Sequence, residues 1–299
     1  MDVFLKFADL ILHISAEREL LIDESLLPFC TAPADKPDVN VRISWDWDAS
    51  CLPQTSALGE DAICRYYAEG EYRYCLTRGG PKGPVACAIY TADYNEIRCV
   101  MNEKPFLMPH KNLGSILRFF PIRAMLQHFR VLFLHAAQIS YSGRGILFTA
   151  PSGTGKTTQA KLWRDHRGAE ILCNDRTLVR NCAGFWKTYG YPIDGSEPVR
   201  SSEIRELACV VVLRQGAENH VERLKASRAA SFLMMQAVID GWSAEARSRE
   251  MDLIFSLLED TPVYLLTCTP DVRAVDVLAA KLIEDGVIAN GSDLESSLE

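Results

Sequence analysis

The segment Ala150-Pro151-Ser152-Gly153-Thr154-Gly155-Lys156-Thr157-Thr158 constrains this chain more than any other. It follows an apolar run, Gly145-Ile146-Leu147-Phe148-Thr149, and precedes a helical pattern, Gln159-Ala160-Lys161-Leu162-Trp163. Strand, glycine-rich loop and helix, in that order, form the setting of a phosphate-binding loop. Glycines let successive backbone N–H groups turn inward around an anion, and the new helix aims its positive end at the same point. Lys156 then supplies charge for the outer phosphates of a nucleotide and Thr157 a hydroxyl for Mg²⁺. Ser152, Gly153, Thr154, Gly155 and Thr158 complete the expected binding loop. Ala150 stands where the G-x-x-x-x-G-K-[ST] pattern opens with glycine. The competing reading is a plain tight turn between a strand and a helix.

The rest of the composition narrows the class. The formal net charge is −7, so no basic field exists to attract nucleic acid or an anionic membrane surface. Any phosphate must be held locally. Hydrophobic residues make up 48% and charged residues 24%, ordinary for a globular protein. The 10 cysteines include no C-x-x-C pair and sit mostly in apolar segments, such as Ala86-Cys87-Ala88-Ile89. That placement predicts buried free thiols of a reducing compartment, not a zinc site. Asp2, Lys6 and Asp9 break any signal-peptide pattern, and no apolar run approaches the roughly 20 residues that span a bilayer. The expectation is a cytoplasmic protein.

Along the chain, the first hundred residues read mainly as strands. Val39, Val41, Ile43, Trp45 and Trp47 alternate, as do Tyr72, Tyr74 and Leu76. A mostly antiparallel β-rich subdomain over 1–110 is predicted. A helical stretch starts at Asn112-Leu113, with Pro121 kinking it or opening a second helix. The run Val131–Ile139 and the run 145–148 are read as strands. The loop's helix ends near Arg167-Gly168. Helical patterns at about 227–239, 243–259 and 271–285 close a core spanning 111–289. The acidic tail 290–299 is expected to be disordered.

Two further residues belong with the loop. Asp175 ends a short strand one helix and one turn after Lys156, so that strand could return beside the loop strand and leave Asp175 facing the same phosphates. A carboxylate there can bind Mg²⁺ or take the proton of an attacking hydroxyl; a turn or N-cap aspartate is the alternative. His135 ends an apolar run just before the loop strand, where it could approach the site or simply be a core histidine.

In order and spacing, His135-Ala136-Ala137-Gln138-Ile139, Gly145-Ile146-Leu147-Phe148, Ser152-Gly153-Thr154-Gly155-Lys156-Thr157 and Cys173-Asn174-Asp175 resemble the catalytic domain of HPr kinase/phosphorylase. ATP-dependent phosphoenolpyruvate carboxykinases, whose loop also reads S-G-T-G-K-T, are the broader relatives. The resemblance covers about residues 130–215. The layout looks closer to the HPr-kinase-like serine kinases, which place a short β-rich region before this core. The resemblance implies an α/β fold: a P-loop nucleotide-binding core of the HPr kinase/phosphoenolpyruvate carboxykinase type, with a small N-terminal β-rich subdomain and C-terminal helices. It implies that Lys156 contacts the β- and γ-phosphates, Thr157 and Asp175 hold Mg²⁺, Asp175 is the catalytic carboxylate, and His135 sits near the transferred group. Asn174 stands where the family usually has a second aspartate, so it would bring an amide oxygen to the metal without charge.

Downstream the pattern departs. The family's capture loop carries Arg-Gly and Phe-Gly, whereas this chain reads Tyr191-Pro192-Ile193-Asp194-Gly195-Ser196-Glu197-Pro198-Val199-Arg200. Gly195 and Arg200 are candidates for a substrate loop, but HPr recognition and the phosphorylase reaction are not expected. The reading is an ATP- and Mg²⁺-dependent kinase acting on a serine-type hydroxyl of a protein, peptide or small molecule. A non-catalytic nucleotide-binding module and a carboxykinase-like enzyme are the alternatives. Relatives often form hexamers, so a homo-oligomer is a further expectation.

Overall fold

A computed structural model describes residues 1–79, 81, 83–105, 111–193, 201–240 and 243–289. The 194–200 part of the expected substrate loop, with Gly195 and Arg200, and the acidic tail lie outside the described residues. The chain is a mixed α/β protein with two large mixed sheets.

It divides into two compact units. The first comprises the described residues of Met1–Phe129, Pro192–Asp194 and Ile239–Ser248. Its strands are β1 (Asp2–Phe7), β2 (Leu10–Ala16), β3 (Cys30–Thr31), β4 (Val39–Ser44), β5 (Gly59–Glu60), β6 (Cys64–Glu69), β7 (Tyr72–Thr77), β8 (Ala86–Thr91) and β9 (Glu96–Met101). They form one sheet in the order β3-β1-β2-β4-β9-β8-β7-β6-β5. The sheet is not purely a set of hairpins: β4 runs parallel to both β2 and β9. The alternation read at Val39, Val41 and Ile43 is a buried stripe of β4, with side chains nearly inaccessible to water. Trp45 and Trp47 lie beyond the end of that strand. Two short helices follow, α1 (Leu113–Leu117) and α2 (Ile122–His128). Asn112 caps α1 by accepting from Ser115 N–H at 3.1 Å, and Pro121 is the N-cap of α2, so the proline opens a second helix.

The second unit comprises the described residues of Arg130–Tyr191, Gly195–Val238 and Arg249–Glu299. It holds β10 (Val131–Leu134), β11 (Ala136–Tyr141), β12 (Arg144–Thr149), α3 (Lys156–Arg167), β13 (Glu170–Cys173), β14 (Thr177–Cys182), β15 (Phe185–Gly190), β16 (Arg205–Gln215), β17 (His220–Arg223), α4 (Ala226–Gln236), most of α5 (Ala244–Asp260), β18 (Val263–Cys268) and α6 (Val272–Glu284). The sheet order is β10-β14-β15-β16-β12-β11-β13, and β18 pairs with β16 and β17. β12, β16 and β18 are mutually parallel, so their C-terminal ends share one edge of the unit.

Alternation along these central strands builds a three-layer core. Phe148, Val211 and Leu266 pack on one face with Ala160 and Trp163 of α3 and Leu278 and Leu282 of α6. Leu147, Val210 and Leu265 pack on the other with Ala229 and Leu233 of α4 and Leu253, Ile254 and Leu257 of α5. Strands buried on both faces read as continuous apolar runs, which is why 207–213 carries no alternation in sequence.

Two expectations change. Val131–Ile139 is not one strand: it breaks at His135 into β10, at one edge of the sheet path, and β11, beside β12. The strand ending at Asp175 does not return beside the loop strand either; β11 lies between β13 and β12. None of the 10 cysteines forms a disulfide, and most of them are buried.

Candidate functional site

The break at His135 has a cause in the pairing. Leu134 faces Thr177 across β10 and β14, while Gln138 faces Cys173 across β11 and β13. Between those pairs, neither His135 nor the turn 174–176 belongs to a ladder. The chain changes partner on both sides at the same level, and the residues freed from pairing meet there. The turn is tied by Cys173 Sγ, 2.8 Å from Arg176 O, and by Thr177 Oγ1 donating to Ala136 O at 3.1 Å. In consequence His135 Nε2 lies 3.1 Å from Asp175 Oδ1, and Arg176 Nε lies 3.8 Å from Asp175 Oδ2.

The loop reaches the same site from β12. Gly153 and Gly155 have φ of 78° and 117°, a region that residues with a side chain rarely occupy. Gly155 is the N-cap of α3 and has no side chain to satisfy the first-turn N–H groups. Those donors and the helix's positive end suit an anion. Ser152, Gly153 and Thr158 are exposed, Thr154, Gly155 and Thr157 half-buried, and Lys156 is buried. The Lys156 ammonium donates to Ala150 O at 2.8 Å and Pro151 O at 3.3 Å, so the loop's own carbonyls hold it. Gln215, ending β16, reaches the carbonyls of Gly153 and Thr154 at 3.4 and 3.5 Å.

The electrostatics join the two halves. Burial lowers the Lys156 pKa and the Asp175 charge opposes that shift. Burial also lowers the His135 pKa, Lys156 lowers it further, and Asp175 and Gln236 raise it. Lys156, His135 and Asp175 therefore feel one another's charge, although three different segments carry them. Asn174 is buried beside them. Among the described residues no group of three His, Cys, Asp or Glu side chains is placed to hold a metal. One carboxylate suits Mg²⁺ when ligand phosphates complete its shell, with Thr157 as the hydroxyl donor.

Two partners escaped the sequence reading. Arg176 directly follows Asp175 and was open to detection as a neighbouring cation. Gln236, at the end of α4, accepts the His135 backbone N–H at its carbonyl at 2.9 Å, and no spacing rule links two positions so far apart in the chain.

The Hpr(Ser) kinase/phosphatase from Coxiella burnetii is 12% identical, covering 52% of this chain and 95% of that chain, with a TM-score of 0.30. No curated protein matches. No helix among the described residues is long and apolar enough to cross a membrane. The SynChlorMet cassette protein ScmC family matches residues 108–273, more than half of the chain, and the chain belongs to that family.

Proposed function

We propose that this chain is an ATP-dependent phosphotransferase that moves the γ-phosphoryl group to a serine-type hydroxyl of a protein, peptide or small molecule. The observation that carries this reading is the convergence of Lys156, at the start of the glycine-loop helix, with the His135–Asp175 pair. An anion cradle beside a carboxylate is the arrangement that phosphoryl transfer to a hydroxyl uses. In this reading Gly153, Thr154 and Gly155 shape the cradle. Lys156 leaves the carbonyls of Ala150 and Pro151 to neutralise the outer phosphates. Asp175 accepts the proton of the attacking hydroxyl, with the His135 ring and the Arg176 guanidinium beside it. Mg²⁺, when bound, supplies further neutralisation of the phosphates, with Thr157 and Asp175 as its protein ligands and Asn174 as a neutral oxygen nearby. The likeness of residues 130–215 to HPr kinase/phosphorylase motifs supports the same chemistry.

The test is Asp175→Asn, measured with labelled ATP and a peptide and small-molecule acceptor panel. The expected result is nucleotide affinity within about threefold of the parent and transfer lowered by 10² or more, the scale of removing a general base. Full transfer by the Asn variant would remove Asp175 from the base role. Binding without transfer by the parent itself would favour the accessory nucleotide-binding module, which Asn174 and Ala150 already suit.

A further inference from the structure

Two threonines are fully buried where the sheet changes partner, and both sit in apolar strands. Thr149 closes β12 and Thr177 opens β14, and each is 0% exposed. A hydroxyl taken out of water has to find its partner inside the protein. Thr149 pairs with Ala136 across β11 and β12, and its Oγ1 donates to His135 O at 2.9 Å. Thr177 pairs with Leu134 across β10 and β14, and its Oγ1 donates to Ala136 O at 3.1 Å. Thr177 is thus paired before the break and reaches past it, while Thr149 is paired after the break and reaches back into it. The backbone next to these hydroxyls carries the reacting groups. Thr149 runs directly into Ala150, whose carbonyl accepts from the Lys156 ammonium at 2.8 Å. Arg176 alone separates Thr177 from Asp175. The segment they grip carries the ring whose Nε2 lies 3.1 Å from Asp175 Oδ1. Valine has nearly the same shape and the same liking for strands, so what threonine adds at both positions is the hydroxyl.

We propose that Thr149 and Thr177 are paired positioning residues: their hydroxyls fix the backbone at His135–Ala136 and so set the His135 ring on Asp175 beside the phosphate loop. The kinetic consequence rests on the phosphotransfer reading; the backbone geometry does not.

The experiment uses the full chain labelled with ¹⁵N-histidine, the His135 ring signals being those lost in His135→Asn. Thr149→Val and Thr177→Val each remove one hydroxyl at nearly constant volume; Thr149→Ser and Thr177→Ser keep it. Each Val variant is expected to shift or broaden the His135 ring signals, recorded well below its melting temperature, and each Ser variant to return them to the parent position. A hydroxyl that only stabilised the fold would lower the melting temperature and leave those signals in place. In transfer assays each Val variant is expected to lose about 10- to 100-fold in kcat, the scale of a misplaced group at the reacting atoms, with the KM for ATP within about threefold of the parent. If a Val variant does not fold, Thr→Ala at the same position, which puts no apolar branch against the carbonyl, replaces it in the comparison. Parent-like His135 signals and kcat in the variants without the hydroxyl would overturn the proposal, as would Ser variants that behave like the Val ones. A parent that binds Mg·ATP without transferring phosphate refutes the phosphotransfer reading alone, since the ring signals still decide the role of the two threonines.

Discussion

Gly155 has open space where a side chain would project, and its φ of 117° is what excludes other residues. Gly155→Ala meets no clash, so its cost is backbone strain of about 1–2 kcal/mol. The strain is relieved by turning the peptide, which moves the N–H groups that open α3. The expected outcome is a modestly lower melting temperature together with at least tenfold weaker Mg·ATP binding, measured by calorimetry. Weaker stability at unchanged affinity would mean that this loop is only a turn. Residues of the loop were legible in the sequence because each acts through local backbone geometry. Asp175 was legible only in part: one helix and one turn place it after Lys156 in the chain, but β11, not the loop strand, neighbours the strand before it. His135 was only half legible: Val131–Ile139 reads as an unbroken apolar run, and the break depends on which strands pair on either side. Gln236 was invisible, since its contact with His135 depends on where the end of α4 packs.

At the level of elements, burial and charge compete most openly in the 239–248 segment of the first unit. Asp240 is 6% exposed, with Arg123 Nη1 at 3.6 Å and the Tyr66 hydroxyl at 3.3 Å from its carboxylate. Asp61 shares both partners, at 3.1 Å from Arg123 and 3.0 Å from Tyr66. Desolvation wins over these partners and raises the Asp240 pKa above that of a free aspartate. A raised carboxyl pKa means the folded state binds the proton more tightly than the unfolded chain. Its contribution to stability is complete below the unfolded value near 3.9 and is lost as pH rises through the folded value. Asp240→Asn removes that dependence while Asp61 still pairs with Arg123. The melting temperature of the Asn variant relative to the parent is expected to climb from pH 4 to pH 7. A difference that stays flat over this range would show that the carboxyl is not destabilised by burial. The same segment shows where sequence reading of the fold stopped. Strands and helices in both units follow from alternation and caps, as at Asn112, Pro121 and Gly168. The two parallel pairings of β4, and the return of 239–248 to the first unit, depend on contacts between distant residues that no local pattern records.

For the whole molecule, the decisive feature is how the chain is shared between its units. It passes from one to the other at 129/130 and 191/192, between the described residues 193 and 201, and at 238/239 and 248/249. The first unit therefore cannot keep Asp240 if the segments that lead into and out of 239–248 unravel, and those segments are α4 and α5 of the second. Loss of the second unit would take from Arg123 and Tyr66 the Asp240 carboxyl whose buried charge they offset. One cooperative unfolding transition is expected for the full chain in scanning calorimetry, in place of the separate transitions that two sequentially independent domains would give. A ligand that binds only the second unit should then stabilise everything. Mg·ATP at about 100 times its Kd adds roughly 2.7 kcal/mol by mass action, enough to raise the melting temperature by several degrees. The measurement is a scan with and without Mg·ATP, repeated with Lys156→Met. The single peak should move upward in the parent and stay in place in the variant. Two peaks, with only one responding to nucleotide, would show that the crossings do not couple the units. A peak that shifts equally in the Lys156 variant would place nucleotide binding away from the loop.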